Sequence, residues 1–210
     1  KTKEQRRLAN LRFVSEGGYQ QSWPPKSDLV KFIPEDRLFP VLGNLDILAF
    51  HNSFLEMDYH YHKNDRVFGR PENLDELIYI EMQCNIIGWQ SQLENTRVDK
   101  FKTSGCLFWA HNDVWPVTSW SMIDYYGTCK NHYYTFKRSA SPVLPVASQK
   151  YEILKPGEIY DLDITVINDK YNDIENLTVK AGIFMGEKAE KVYEKEFSGT
   201  AFANKSTLFG

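Results

Sequence analysis

Hydrophobic and polar positions follow two patterns along this chain, and the change falls near residue 140. Leu11-Arg12-Phe13-Val14-Ser15 reads as a short strand that Gly17-Gly18 ends. From Glu16 to about Pro71 there is little periodicity, and Pro24-Pro25, Pro34 and Pro40 act as breakers. A helix then begins. Asn73 is placed as N-cap, with Glu76 three residues on at capping-box spacing. Leu77, Ile80, Cys84 and Ile87 form one apolar face at helical spacing, running to about Arg97, roughly 36 Å at 1.5 Å per residue. Gly105-Cys106-Leu107-Phe108-Trp109 predicts a second buried strand, and a polar, Trp-rich loop follows. Thr128 to Arg138 predicts a shorter helix. Strand, long loop, helix, strand, loop, helix is a βαβα order that implies parallel strands.

Beyond Ser139-Ala140-Ser141-Pro142-Val143-Leu144-Pro145, which reads as a linker, the period drops to two. Tyr160, Leu162, Ile164 and Val166 fall on one side, and Asp161, Asp163 and Thr165 on the other. That alternation predicts a half-buried antiparallel strand. Asn168-Asp169 turns the chain. Leu177, Val179, Ala181 and Ile183 repeat the alternation, and Lys191 to Phe197 gives a weaker strand. About four strands are legible where an immunoglobulin-like sandwich has about seven. Two βα units likewise cannot close a barrel of eight. The expectation is a segment truncated at both ends.

Composition narrows this little. A chain of 210 residues has room for one large domain or two small ones, and 42% hydrophobic with 25% charged residues is ordinary for a globular protein. The net charge of -3 offers no attraction to nucleic acid or an anionic membrane, and no apolar run approaches the ~20 residues of a membrane span. Lys1-Thr2-Lys3-Glu4-Gln5-Arg6-Arg7 has no apolar core behind it, so it is not a signal peptide, though a chain starting so abruptly leaves secretion or a lysosome open. Cys84, Cys106 and Cys129 are odd in number and widely spaced, which fits buried thiols in a reducing, cytoplasmic setting. The sequons at Asn176 and Asn204 matter only in a secreted chain. Aromatic residues are in excess at 14%, with five Trp. Ring faces suit the C–H face of a sugar, but composition alone favours a rich core.

Two constellations carry candidate chemistry. Ser15-Glu16-Gly17-Gly18-Tyr19-Gln20-Gln21-Ser22-Trp23-Pro24 sets a carboxylate at the carboxyl end of a strand, where (β/α)8 barrels build their sites. Glu16 there is either a turn residue or a catalytic carboxylate. From Trp109 to Tyr125 polar and aromatic residues again follow a strand: Trp109 is placed as a platform under a sugar ring, and Asn112 and Asp113 either bond hydroxyls or orient the loop. Three Trp in twelve residues pack a seam or line a pocket. Asp58, His60 and His62 alternate and would share one strand face, as metal ligands can, although such a trio is more often polar surface. His51 falls in the loop after Glu16.

The Ser-Glu-Gly-x-Tyr-Gln run with Ser22-Trp23-Pro24 resembles the nucleophile segment of glycoside hydrolase family 2, especially its β-mannosidase branch. The Trp109-x-x-Asn112-Asp113-x-Trp115-Pro116-x-x-Ser119-Trp120-x-x-x-Asp124-Tyr125 run resembles that branch's segment after barrel strand eight. Matching residues continue through Lys130 and Tyr133-Tyr134 to Pro142. The resemblance implies an α/β fold followed by all-β. Residues 1–140 would be the C-terminal part of a TIM barrel, and 141–210 a truncated immunoglobulin-like sandwich. It implies a retaining exo-glycosidase acting on terminal β-mannosyl residues, with Glu16 as nucleophile and Tyr19, Trp23, Trp109, Asn112 and Asp113 around the sugar. No cofactor and no metal are implied. The partners would be a glycoside or oligosaccharide substrate and the N-terminal domains of the same full-length chain.

The resemblance also implies that the acid/base would be a Glu in an Asn-Glu pair upstream of Lys1, so the isolated chain is expected to be inactive. An exo-β-glucosaminidase, a β-galactosidase or a non-catalytic carbohydrate-binding module are the alternatives. Gly17 stands where an aromatic residue is common, Gln20-Gln21 looks like a one-residue insertion, and Ala110-His111 replaces the usual Gln-Leu. These departures bear on which sugar is bound.

Overall fold

The computed structural model describes residues 12–17, 22–52, 68–148, 155–186 and 188–210. Their contacts form two units. One takes Val14–Gln92 and Cys106–Arg138, and the other draws on Leu93–Gly105 and Ser139–Gly210.

In the first unit, β1 (Val14–Gly17) lies parallel to β2 (Cys106–Phe108), with Val14 opposite Cys106 and Gly17 opposite Phe108. The stretch after β1, aperiodic in sequence, is a string of single helical turns. These are α1 (Lys26–Leu29), 3-10 turns at Glu35–Arg37 and Val41–Gly43, and α2 (Leu45–Phe50). Pro25, Pro34 and Pro40 directly precede the first three. A proline at a helix start has its φ preset and lacks an N–H that would go unbonded anyway, so these residues start turns rather than only breaking them. The turns bury Leu29, Ile33, Leu38, Val41 and Leu48 in a core with Trp23, Leu74, Leu77 and Ile78.

Helix α3 (Leu74–Val98) supplies the last three of those residues. Asn73 Oδ1 accepts from the Glu76 N–H at 2.9 Å, as its capping position predicts. The returning bond from Glu76 Oε2 goes to the Glu72 N–H at 2.8 Å, one residue earlier than in the standard capping box. Further along, Trp89 stacks on Phe108 of β2 (ring centroids 4.5 Å apart) and meets His132 and Phe136 of α4 (Asn131–Ser139). An aromatic layer therefore joins α3, β2 and α4.

In the second unit, β3 (Val143–Ala147), β4 (Ile164–Asn168) and β7 (Lys205–Leu208) form an antiparallel sheet in the order β3-β4-β7. β5 (Ile174–Met185) and β6 (Glu190–Ala201) form a long hairpin. Two expectations need correction. The supposed linker contains β3, whose Leu144 and Val146 are buried. The predicted half-buried strand is β4, a central strand buried at all five positions. Ile164 and Val166 pack with Val179, Phe197 and Ala201 of the hairpin, while Ile167 joins Leu144, Val146 and Val98. Asn168 is buried because its side chain is fully used: Nδ2 donates to the Asn172 and Ala201 carbonyls, and Oδ1 accepts from the Lys170 N–H. Among the described residues no helix is long and apolar enough to cross a membrane.

Candidate functional site

Glu16 is the penultimate residue of β1 and its side chain is exposed. One residue later, the Gly17 carbonyl accepts from the Trp109 N–H at 2.9 Å. Parallel pairing thus ties the carboxyl end of β1, where Glu16 stands, to the residue that follows β2. Trp109 is 55% exposed, and its peptide bond to Ala110 is cis. A Cβ on Gly17 would stand 2.0 Å from Gln92 Nε2 of α3, so an aromatic residue at 17 has no room unless that amide moves.

The loop after β2 holds its shape without regular secondary structure. Met122 N–H donates to the Ala110 carbonyl, Ile123 N–H to His111 and Asp113 N–H to Ile123, all within 3.1 Å. Thr118 N–H reaches the His51 carbonyl at 2.7 Å, and Ser22 N–H the Ser119 carbonyl at 2.8 Å. The segment following Glu16 and the Trp-rich loop are therefore stitched together. His51 Nδ1 lies 2.9 Å from the Pro116 carbonyl, and its ring stacks on Trp115.

Beneath the loop lies a cation. Lys130 Nζ is wholly buried, 3.2 Å from Asp113 Oδ2, and also meets the Ser22 and Ser119 carbonyls and the Ser119 and Ser121 hydroxyls. Burial presses its pKa down, and the Asp113 carboxylate works against that shift. The Asp113 side chain is only 5% exposed and also accepts from Ser119 Oγ, so its oxygens are spent inside the protein. Next to this cluster, desolvation and the Lys130 charge push His132 down to about 3, which keeps its ring neutral. Desolvation is the largest influence on both Asp28 and Asp124: it raises the Asp124 pKa, whereas at Asp28 the bonds from Lys31 and Thr128 outweigh it and lower the pKa.

The expected sugar-side residues separate accordingly. Trp109 and Asn112 are exposed, and Asn112 Nδ2 donates to the Asp113 carbonyl at 3.1 Å. Asp113 orients the loop. Trp23 is 2% exposed, its indole enclosed in the core of helical turns, which leaves no ring face for a ligand. Tyr19, like the Asp58, His60 and His62 trio, lies outside the described residues. Among those described, no group of three or more His, Cys, Asp or Glu is set to hold a metal ion. The Lys130 cluster has no signature in sequence spacing, because its acceptors come from 9 to 108 positions away.

No protein-family model matches the chain. It is 30% identical over 181 residues to a β-mannosidase of Capra hircus, an alignment taking in 75% of this chain and 19% of that protein. The crystal structure of a β-D-mannosidase from Dictyoglomus thermophilum superposes with a TM-score of 0.71 at 27% identity, over 95% of this chain and 23% of the other. An exo-chitosanase of Amycolatopsis orientalis gives a TM-score of 0.76 at 17% identity, over 96% of this chain and 24% of that one, a likeness of fold. The chain spans about a fifth of the length of these relatives.

Proposed function

Because this chain belongs to the β-mannosidase-like branch of glycoside hydrolase family 2, we propose that it contributes half of the catalytic pair of a retaining exo-glycosidase. In this reading residues 1–140 are the C-terminal part of a (β/α)8 barrel, and residues 141–210 begin an immunoglobulin-like sandwich. The substrate is a terminal β-mannosyl residue. Glu16 attacks the anomeric carbon as the leaving oxygen takes a proton from a second carboxyl group outside these residues, ~5–5.5 Å away in retaining enzymes. Water then hydrolyses the glycosyl-enzyme with net retention. Trp109 supplies a face for the ring and Asn112 bonds a hydroxyl, and Tyr19 is a further sugar-side residue. Asp113 acts through the loop it orients, and Trp23 supports the site from the core.

The observation that carries this reading is the Trp109–Gly17 backbone bond, which joins the residue after an exposed carboxylate at one strand end to an exposed Trp just past the neighbouring strand. The test is hydrolysis of p-nitrophenyl glycosides by the full-length protein and its Glu16→Gln variant. Wild type should prefer the β-mannoside, and Glu16→Gln should lose about 10³-fold or more in kcat, as removal of a nucleophile does. Full activity in Glu16→Gln overturns the assignment. A better rate on the β-glucosaminide or β-galactoside changes the sugar but keeps the mechanism.

A further inference from the structure

We infer that Lys130 is a positioning residue that fixes the sugar-side loop against the segment that follows the strand carrying Glu16, and so sets discrimination at the sugar ring. The inference rests on the site reading above, but its structural half stands without it. An ammonium group has three N–H donors. Here five acceptors surround it within 3.4 Å: the Ser22 carbonyl from the segment after β1, and Asp113 Oδ2, Ser119 O, Ser119 Oγ and Ser121 Oγ from the loop after β2. One buried cation thus ties both loops that flank the candidate site.

Its own anchorage is firm. The Lys130 N–H donates to the Met122 carbonyl at 2.9 Å, and the residue immediately precedes α4, which packs into the Trp89 aromatic layer. The loop side is equally interlocked. Ser119 Oγ donates to Asp113 Oδ1 and lies 2.8 Å from Ser121 Oγ, and Ser121 Oγ donates on to the Ile123 carbonyl. Asn112 precedes Asp113 and its Nδ2 donates to the Asp113 carbonyl at 3.1 Å, which links Asn112 to the residue that Lys130 holds. Burial of Lys130 is complete within these residues. Buried charges of this kind cost desolvation and are best justified by the unique geometry they impose.

The test uses the full-length enzyme with Lys130→Met, which keeps the stem and removes the charge, and Ser119→Ala, which keeps the ion pair and removes the shared hydroxyl. The main readout is the ratio of kcat/KM for p-nitrophenyl β-mannoside to that for the β-glucoside. A merely destabilised protein lowers both rates together and leaves this ratio unchanged, because the active fraction cancels. The ratio should fall at least tenfold in Lys130→Met and severalfold in Ser119→Ala. In both variants, amides of residues 109–123 should exchange faster while those of β3 to β7 keep their rates. An unchanged ratio, or unchanged exchange in 109–123, overturns the inference. If Lys130→Met does not fold, Ser119→Ala decides by the same two readouts. Failure of the glycosidase reading shows elsewhere, as full activity in Glu16→Gln, and amide exchange then still decides the positioning claim.

Discussion

His132 lies fully buried beside the Lys130 cluster, its ring 5.0 Å from the indole of Trp89. Desolvation first, then the Lys130 charge, lower its pKa to about 3, and the nearby backbone of Trp120 and Ser121 pulls the other way without prevailing. The folded protein thus keeps this ring neutral where an unfolded chain would protonate it near 6.5. Above pH 6.5 both states are neutral and the contribution to stability is complete. As pH falls from there towards 3, the unfolded state gains a proton that the folded state refuses. Stability then drops by about 1.4 kcal/mol per pH unit for this one group. Urea midpoints measured between pH 7 and 4 should show that slope in wild type, and His132→Phe should lose about one proton's worth of it. Equal slopes in the two proteins would sink the claim. Neither this histidine nor the Lys130 cluster was visible in the sequence, since both depend on which segments meet. Glu16, Trp109 and Asn112 are singled out in the sequence by the family resemblance, and all three are exposed, Glu16 near the end of β1, Trp109 just past β2 and Asn112 in the loop beyond. Trp23 looked the same in sequence, next to Ser22 and Pro24, but the helical turns starting at Pro25 fold back over it.

At the scale of elements, what was legible followed from local rules. α3 has its cap and its period in one stretch, and the structure starts it at Leu74, directly after the expected Asn73. Substituting Asn73 by Ala removes the acceptor for the Glu76 N–H and should cost about 1 kcal/mol, read as a lowered urea midpoint at unchanged m-value. Asn73→Ser should recover most of it; a neutral Asn73→Ala would mean that the start of α3 is held by packing alone. The missed elements obey rules that a periodicity scan does not carry. Single turns such as Glu35–Arg37 are too short to show a period. β3 was hidden by Pro145, since proline argues against a strand unless its missing N–H faces away from a partner. β3 is the edge of its sheet, where that condition can be met. β4 was misjudged for a tertiary reason: its polar-looking alternation includes Thr165, which the β3-β4-β7 sheet buries along with its apolar neighbours.

At the scale of the whole molecule, the boundary proposed at residue 140 follows the change of sequence pattern, while contacts group Leu93–Gly105 with the strands beyond Ser139. Arg97 is the centre of that grouping. Its guanidinium donates to the Ser139 and Ser141 carbonyls and to Asp169 Oδ2, and its own carbonyl accepts from Ser206 Oγ at 2.9 Å. Val98 adds an apolar contact to Leu144, Val146 and Ile167. At Asp169, burial pushes the carboxyl pKa up, but bonds from Lys100 and Arg97 prevail and hold it below the ordinary value of 3.8. That contribution is present above pH 3.8 and is lost as pH falls through the folded-state value. The Arg97 side chain is only 13% exposed, so solvent replaces its partners poorly. Arg97→Met, which keeps most of the stem, should therefore cost about 2–3 kcal/mol, the range for charge-assisted bonds left unmade in a partly buried place. The loss should be local: amides of β3, β4 and β7 exchange faster while those of α4 and β2 keep their rates. If exchange rises equally in both sets, the helix end and the strands beyond residue 139 do not form the cooperative unit that Arg97's bonds describe.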